Sequence, residues 1–139
     1  MASASIFWPL VAMVVLTLVV MLMMARERVG QLRRNRVHPQ AVATSVQMAA
    51  RVSDTRCADN FRNLFELPVL FYAALLVAFV TAQGSGLVVG LAWAFVALRV
   101  AHSAIHCSYN KVMHRFAVFL AGGAVLFVLW GRLAWGLLG

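Results

Sequence analysis

RVAHSAIHCSYNKVMHR, residues 99–115, decides how the chain is read. It follows directly on LVVGLAWAFVAL, residues 87–98, which is apolar enough to sit in hydrocarbon. A segment of that kind that ends in two arginines, three histidines, a lysine, a tyrosine and a cysteine has met a polar boundary. Ionisable groups at such depth are costly unless they pair or line a wet cavity, so this stretch should face protein and not lipid.

The rest of the chain has the same character. Of 139 residues, 63% are hydrophobic and only 12% charged, against roughly a quarter charged in soluble proteins. A bilayer span takes about 20 mainly apolar residues, and four windows qualify: 7–25, 64–83, 87–100 with a polar extension, and 116–138. The first window lacks a basic leader and is longer than a signal core, so it should remain as a span. The expected fold is an all-α membrane protein, a four-transmembrane-helix up-down bundle forming a single domain over residues 1–139.

Net charge is +8, and its distribution is uneven. Eight arginines (Arg26, Arg28, Arg33, Arg34, Arg36, Arg51, Arg56 and Arg62) lie between the first two spans, and Arg99, Lys111 and Arg115 flank the third-to-fourth connection. TAQGSG, between the second and third spans, has none. Positive-inside bias then places both basic connections in the cytoplasm and both termini on the non-cytoplasmic side of a multi-pass integral membrane protein. Anionic headgroups are the expected partners of this charge, and nucleic acid is not. Cys57 and Cys107 fall on the reducing side, where free thiols are expected.

Pro39 should interrupt the polar extension of the first helix, and a second, surface-lying helical stretch is expected over 40–60. GSG at 84–86 reads as a tight turn. At 3.6 residues per turn, Asp59, Arg62, Asn63 and Glu66 share a face of the second span at its cytoplasmic end, as Arg99, His102, Ser103, His106 and Tyr109 do on the third. Together they predict a polar pocket at the cytoplasmic mouth.

Each group has a plainer reading beside the functional one. Glu66 serves helix packing if it only pairs with Arg62 or Arg99, and ligand binding if it orders an arginine. His102 and His106 form H-x-x-x-H, a spacing zinc sites use, but no third or fourth ligand is evident and no metal is expected. Arg115 alternatively snorkels to headgroups. The four tryptophans read as interface or packing residues, and Gly122 and Gly123 as points of close helix approach. A nucleophile triad, a phosphate loop and a dinucleotide fingerprint are absent from the sequence.

The same residues resemble the MAPEG family, the membrane-associated proteins in eicosanoid and glutathione metabolism. RNLFE, with Arg62, Asn63 and Glu66, is similar to that family's R-N-x-x-E; RVAHSAIH, with Arg99 and His102, is similar to its R-x-x-H; GQLRR, with Arg33, resembles the basic end of its first helix. Arg115 falls where prostaglandin E synthases of the family carry a catalytic arginine. The resemblance, to a bacterial-type member, covers nearly the whole chain and implies an inner-membrane homotrimer that binds glutathione as co-substrate near the cytoplasmic face. It implies a transferase or peroxidase acting on a lipophilic small molecule. Arg115 would stabilise the thiolate, and Arg33, Arg62, Asn63, Glu66, Arg99 and His102 would bind glutathione. The alternative is a non-catalytic lipid-binding or scaffold protein of the same fold. The chain departs from the family at His106 and Phe119, which stand where tyrosines are usual, and at Pro68, which follows Glu66 at a shorter spacing.

Overall fold

A computed structural model describes residues 4–138; residues 1–3 and 139, the ends of the expected domain, lie outside them. Among the described residues there is no strand. Four helical stretches are long and apolar enough to cross a membrane: Ala4–Arg34, Arg56–Val80, Gly86–Cys107 and Val112–Leu138. The helices are α1 (Phe7–Arg34), α2 (Ser45–Arg51), α3 (Arg56–Asn63), α4 (Leu67–Val80), α5 (Gly86–Cys107) and α6 (Val112–Leu138).

Neighbouring spans alternate in direction. Phe7 at the start of α1 meets Phe79 at the end of α4, ring centroids 4.8 Å apart, while Glu27 near the end of α1 accepts from the Cys57 thiol at the start of α3. Along α5 and α6, His102 lies 6.0 Å from Phe119, and Gly122 faces Phe95 and Leu98. Phe71 of α4 stacks on Phe95 of α5 at 4.6 Å, within a core that includes Ile6, Met13, Leu75, Leu126 and Leu129. Lipid removes most of the hydrophobic gain from such contacts, so close packing and interhelical hydrogen bonds hold the spans together. Trp130 supplies one such bond, its indole N–H donating to the Leu70 carbonyl at 3.1 Å.

The second span starts earlier than its apolar window and is broken. Pro68 in an unbroken helix would lack an N–H and crowd the Leu64 carbonyl. The chain instead tightens after α3, with Phe65 N–H donating to Arg62 O (2.9 Å) and Glu66 N–H to Asn63 O (3.3 Å). It restarts as α4 with Pro68 in the first turn, where no N–H is needed.

The long connection after α1 is tied down by polar side chains. His38 and Pro39 open a single 3-10 turn, Pro39–Val42, and Thr44 with Gln47 forms a reciprocal cap on α2. The helical stretch expected over 40–60 is thus divided into this turn, α2 and the first half of α3. Gln31 of α1 clamps the return: its Oε1 accepts from the backbone N–H of Ser53 (3.0 Å) and Asp54 (3.1 Å), and its Nε2 donates to Asp54 O (2.9 Å). Asp54 in turn accepts from Arg56 at 2.9 and 2.7 Å. That bonding holds the Asp54 carboxyl below its ordinary value of 3.8, against the opposing pull of partial burial. Arg56 also donates to the Ser108 carbonyl, joining this loop to the end of α5.

In the connection to α5 the left-handed backbone falls on Ala82 (φ 55°) and not on either glycine of GSG. Ser85 then caps α5, accepting from Val88 N–H at 3.4 Å.

Candidate functional site

The break at 64–66 sets the site. Asn63 closes α3 and Glu66 precedes α4, and the Asn63 Nδ2 donates to Glu66 Oε2 at 2.6 Å across the break. With Asp59 they form one wall of a cavity of about 260 Å³; His102 and His106 of α5 and Val112, Arg115, Phe116 and Phe119 of α6 form the rest. The two polar clusters expected from helical spacing meet in part, at the end where α3 begins and α5 finishes: Asp59, Asn63 and Glu66 face His102 and His106, while Arg62 and Tyr109, the latter exposed beyond the end of α5, stay outside the cavity.

Arg99 stands behind this wall, 1% exposed. Its Nη2 donates to Asn63 Oδ1 at 2.5 Å and to Asn63 O at 3.3 Å. Asn63 thus links the buried guanidinium to the Glu66 carboxylate. Neither ion pair considered for Glu66 forms: Arg62 instead lies 3.7 Å from Asp59, on an exposed surface. Arg115 donates to Asn110 Oδ1 at 2.6 Å. Asn110 has φ 50°, a left-handed conformation that asparagine adopts more readily than most residues, and so turns the chain from α5 into α6.

Several buried polar atoms have no partner within the described chain: both ring nitrogens of His102, Nδ1 of His106, and Nε and Nη1 of Arg99. The histidine rings sit edge to face, 5.5 Å apart. Among the described residues no three His, Cys, Asp or Glu side chains gather as a metal-binding group. The cavity therefore offers unmatched hydrogen-bonding groups, a guanidinium and two carboxylates beside the apolar rings of Phe116 and Phe119.

Of the residues expected at a glutathione site, Asn63, Glu66, His102 and Arg115 line this cavity and Arg99 supports it. Arg33 and Arg62 do not reach it. Arg62 borders a separate cleft of about 440 Å³ between α1, α2 and α3, and Arg33 lies with Arg26, Val29 and Gly30 on the outer end of α1. Sequence reading passed over Asn60 and Asn110. Asn60 is fully buried and takes the Ser103 hydroxyl hydrogen bond at 3.4 Å; its signal was an amide one turn before Asn63. For Asn110 the signal was an asparagine immediately ahead of a new basic, apolar helix.

The MAPEG family model matches residues 6–135, all four spans and every cavity-lining residue. The chain belongs to the MAPEG family. Membership makes it a multi-pass membrane protein of the glutathione and eicosanoid metabolism kind. MAPEG proteins are generally associated with glutathione, typically form trimers and bind lipophilic substrates. No curated protein and no solved structure matches the chain.

Proposed function

We propose that this MAPEG protein is a glutathione-dependent transferase or peroxidase that acts at the cytoplasmic face on a lipophilic electrophile delivered by the bilayer. The observation that carries the reading is the convergence of Arg115, Asn63, Glu66 and unpartnered His102 on one cavity. Glutathione has two carboxylates, one ammonium and a thiol. Glu66 and Asp59 suit the ammonium, and arginines suit the carboxylates.

Arg115 has the chemistry to act on sulfur. A thiol near pKa 8.5 is only a few per cent ionised at neutral pH, and an adjacent guanidinium favours the thiolate that attacks the electrophile. Phe116 and Phe119 give the electrophile an apolar approach. His106 and Phe119 supply no phenolic hydroxyl, which leaves Arg115 to carry the charge stabilisation.

In this reading the chain is a homotrimer. Arg33 and Arg62, which are outside the cavity of their own subunit, serve a neighbour's. The basic connections face the cytoplasm and its anionic headgroups, with both termini on the other side. Titration of purified trimer with glutathione, followed by thiolate absorbance, is the test: wild type should generate thiolate at neutral pH and Arg115→Lys should not. Absence of binding by wild type would refute the reading.

A second, non-catalytic reading is favoured by one feature, an almost wholly apolar groove of about 540 Å³ between α1 and α3–α4, lined by Leu10, Leu18, Phe61, Phe65 and Tyr72 among others. Such a groove suits a lipid chain. Retention of a stoichiometric lipid by a protein that binds no glutathione would support it.

A further inference from the structure

Cys57 and Cys107 play no part in the glutathione chemistry, yet the fold brings them together. Cys57 lies in the first turn of α3, fully buried, and Cys107 is the last residue of α5, partly buried. Asn60, which bonds Cys107, lies one turn after Cys57 on the same face of α3, so the two thiols share one point of the α3–α5 contact. Each also has its own polar partner: Cys57 donates to Glu27 Oε1 at 3.3 Å, and Cys107 accepts from Asn60 Nδ2 at 3.5 Å. Cys107 opens onto an apolar groove of about 230 Å³ between α1 and α5, lined by Leu16, Val20, Met23 and Val100. One sulfur is thus reachable by a lipophilic molecule, and the other waits behind it beside a carboxylate.

We propose that Cys57 and Cys107 are a redox-active dithiol, which an organic hydroperoxide closes into a disulfide that ties α3 to α5. Cys107 Sγ attacks the outer peroxide oxygen; the O–O bond breaks and the departing alkoxide takes the thiol proton, leaving an alcohol and a sulfenic acid at Cys107. Cys57 Sγ then attacks that sulfur. The S–S bond forms, the S–O bond breaks, and the Cys57 proton, passed through Glu27, leaves with hydroxide as water. Two thiols lose two electrons and the peroxide gains them. The bond joins the two helices whose Asn63–Arg99 contact supports the cavity, so oxidation fixes their spacing. Nothing in these steps uses glutathione, and the test separates this site from the reading above.

Full-length protein in mild detergent is treated with cumene hydroperoxide in the absence of glutathione. Maleimide-reactive thiols, counted after denaturation, should fall from two per chain to none, and non-reducing peptide mapping should recover one species holding Cys57 and Cys107, which a dithiol reductant splits. Thiols that stay reactive, end as sulfinic acids, or link only between chains would overturn the proposal. Cys57→Ser should leave a dimedone-reactive sulfenic acid on Cys107. If the adduct instead forms on Cys57 in Cys107→Ser alone, Cys107 is not the attacking sulfur.

Discussion

Arg99 and Asn63 are joined twice, through the Asn63 side-chain oxygen at 2.5 Å and its backbone carbonyl at 3.3 Å. The same amide donates onward to Glu66, so one neutral side chain bonds Nη2 of a buried cation on one side and a carboxylate on the other. An aspartate could accept from Arg99 but could not donate to Glu66. A leucine could do neither.

Asn63→Leu should therefore destabilise the protein by about 1.5–3 kcal/mol, the usual worth of a hydrogen bond to a charged group. Asn63→Asp should cost less, because it keeps the acceptor while setting two carboxylates side by side. Thermal unfolding in one detergent orders the three proteins; equal midpoints would show that the link is not structural.

The loop clasp should respond to acid. Asp54 is held below its ordinary 3.8 chiefly by its hydrogen bonds from Arg56. A carboxyl with a depressed folded value contributes stability that is present above its unfolded value and is lost as pH falls through the folded one. Wild type should thus exceed Asp54→Asn in thermal midpoint at neutral pH, with the difference closing below about pH 4. A difference that is constant across this range would assign the effect to shape and not to charge.

The apolar windows announced four spans, and the ionisable run at 99–115 announced a polar mouth at one end of the bundle. Three things were hidden, each for its own physical reason. Pro68 breaks the second span and turns Glu66 away from the register of Arg62. Arg56–Asn63 is too polar for a hydropathy window, yet it packs against α1 and α5 through Cys57 and Asn60. Arg62, one residue before Asn63, points about 100° away from it around the helix, into the α1–α2 cleft.

Glycine positions follow the same distinction between pattern and contact. A Cβ at Gly122 would meet Leu98 and Phe95 at 3.9 and 4.0 Å, and one at Gly123 would meet Leu67 at 3.8 Å, all ordinary contacts. Within the subunit neither glycine is forced by close helix approach. At Gly136 a Cβ would overlap the Gln83 amide. Gly122→Ala should be neutral or stabilising by up to about 1 kcal/mol through helix propensity, and Gly136→Ala should gain less, because the flexible end of Gln83 has to swing aside; the reverse order would refute this account.

The arginines decide between a site complete in one subunit and one completed by a neighbour. Arg115 lines the cavity, so Arg115→Lys keeps the charge but loses the planar set of donors, and transfer to an aryl halide at saturating glutathione should fall by about 10²-fold, or about 2.7 kcal/mol. Arg33 and Arg62 lie outside their own cavity, and their alanine variants can weaken glutathione binding only across a subunit boundary. In the proposed trimer each should raise the dissociation constant about tenfold while leaving the rate at saturation nearly unchanged, the signature of lost uniform binding. Mixed trimers provide the sharper measurement. At glutathione well below saturation, subunits carrying Arg33→Ala, co-expressed with subunits carrying Arg115→Lys, should regain activity at those interfaces where an intact Arg33 meets an intact Arg115. Recovery shows that the two arginines act from different chains, whereas mixed trimers no more active than the sum of the two parents would place them in one subunit or outside the reaction.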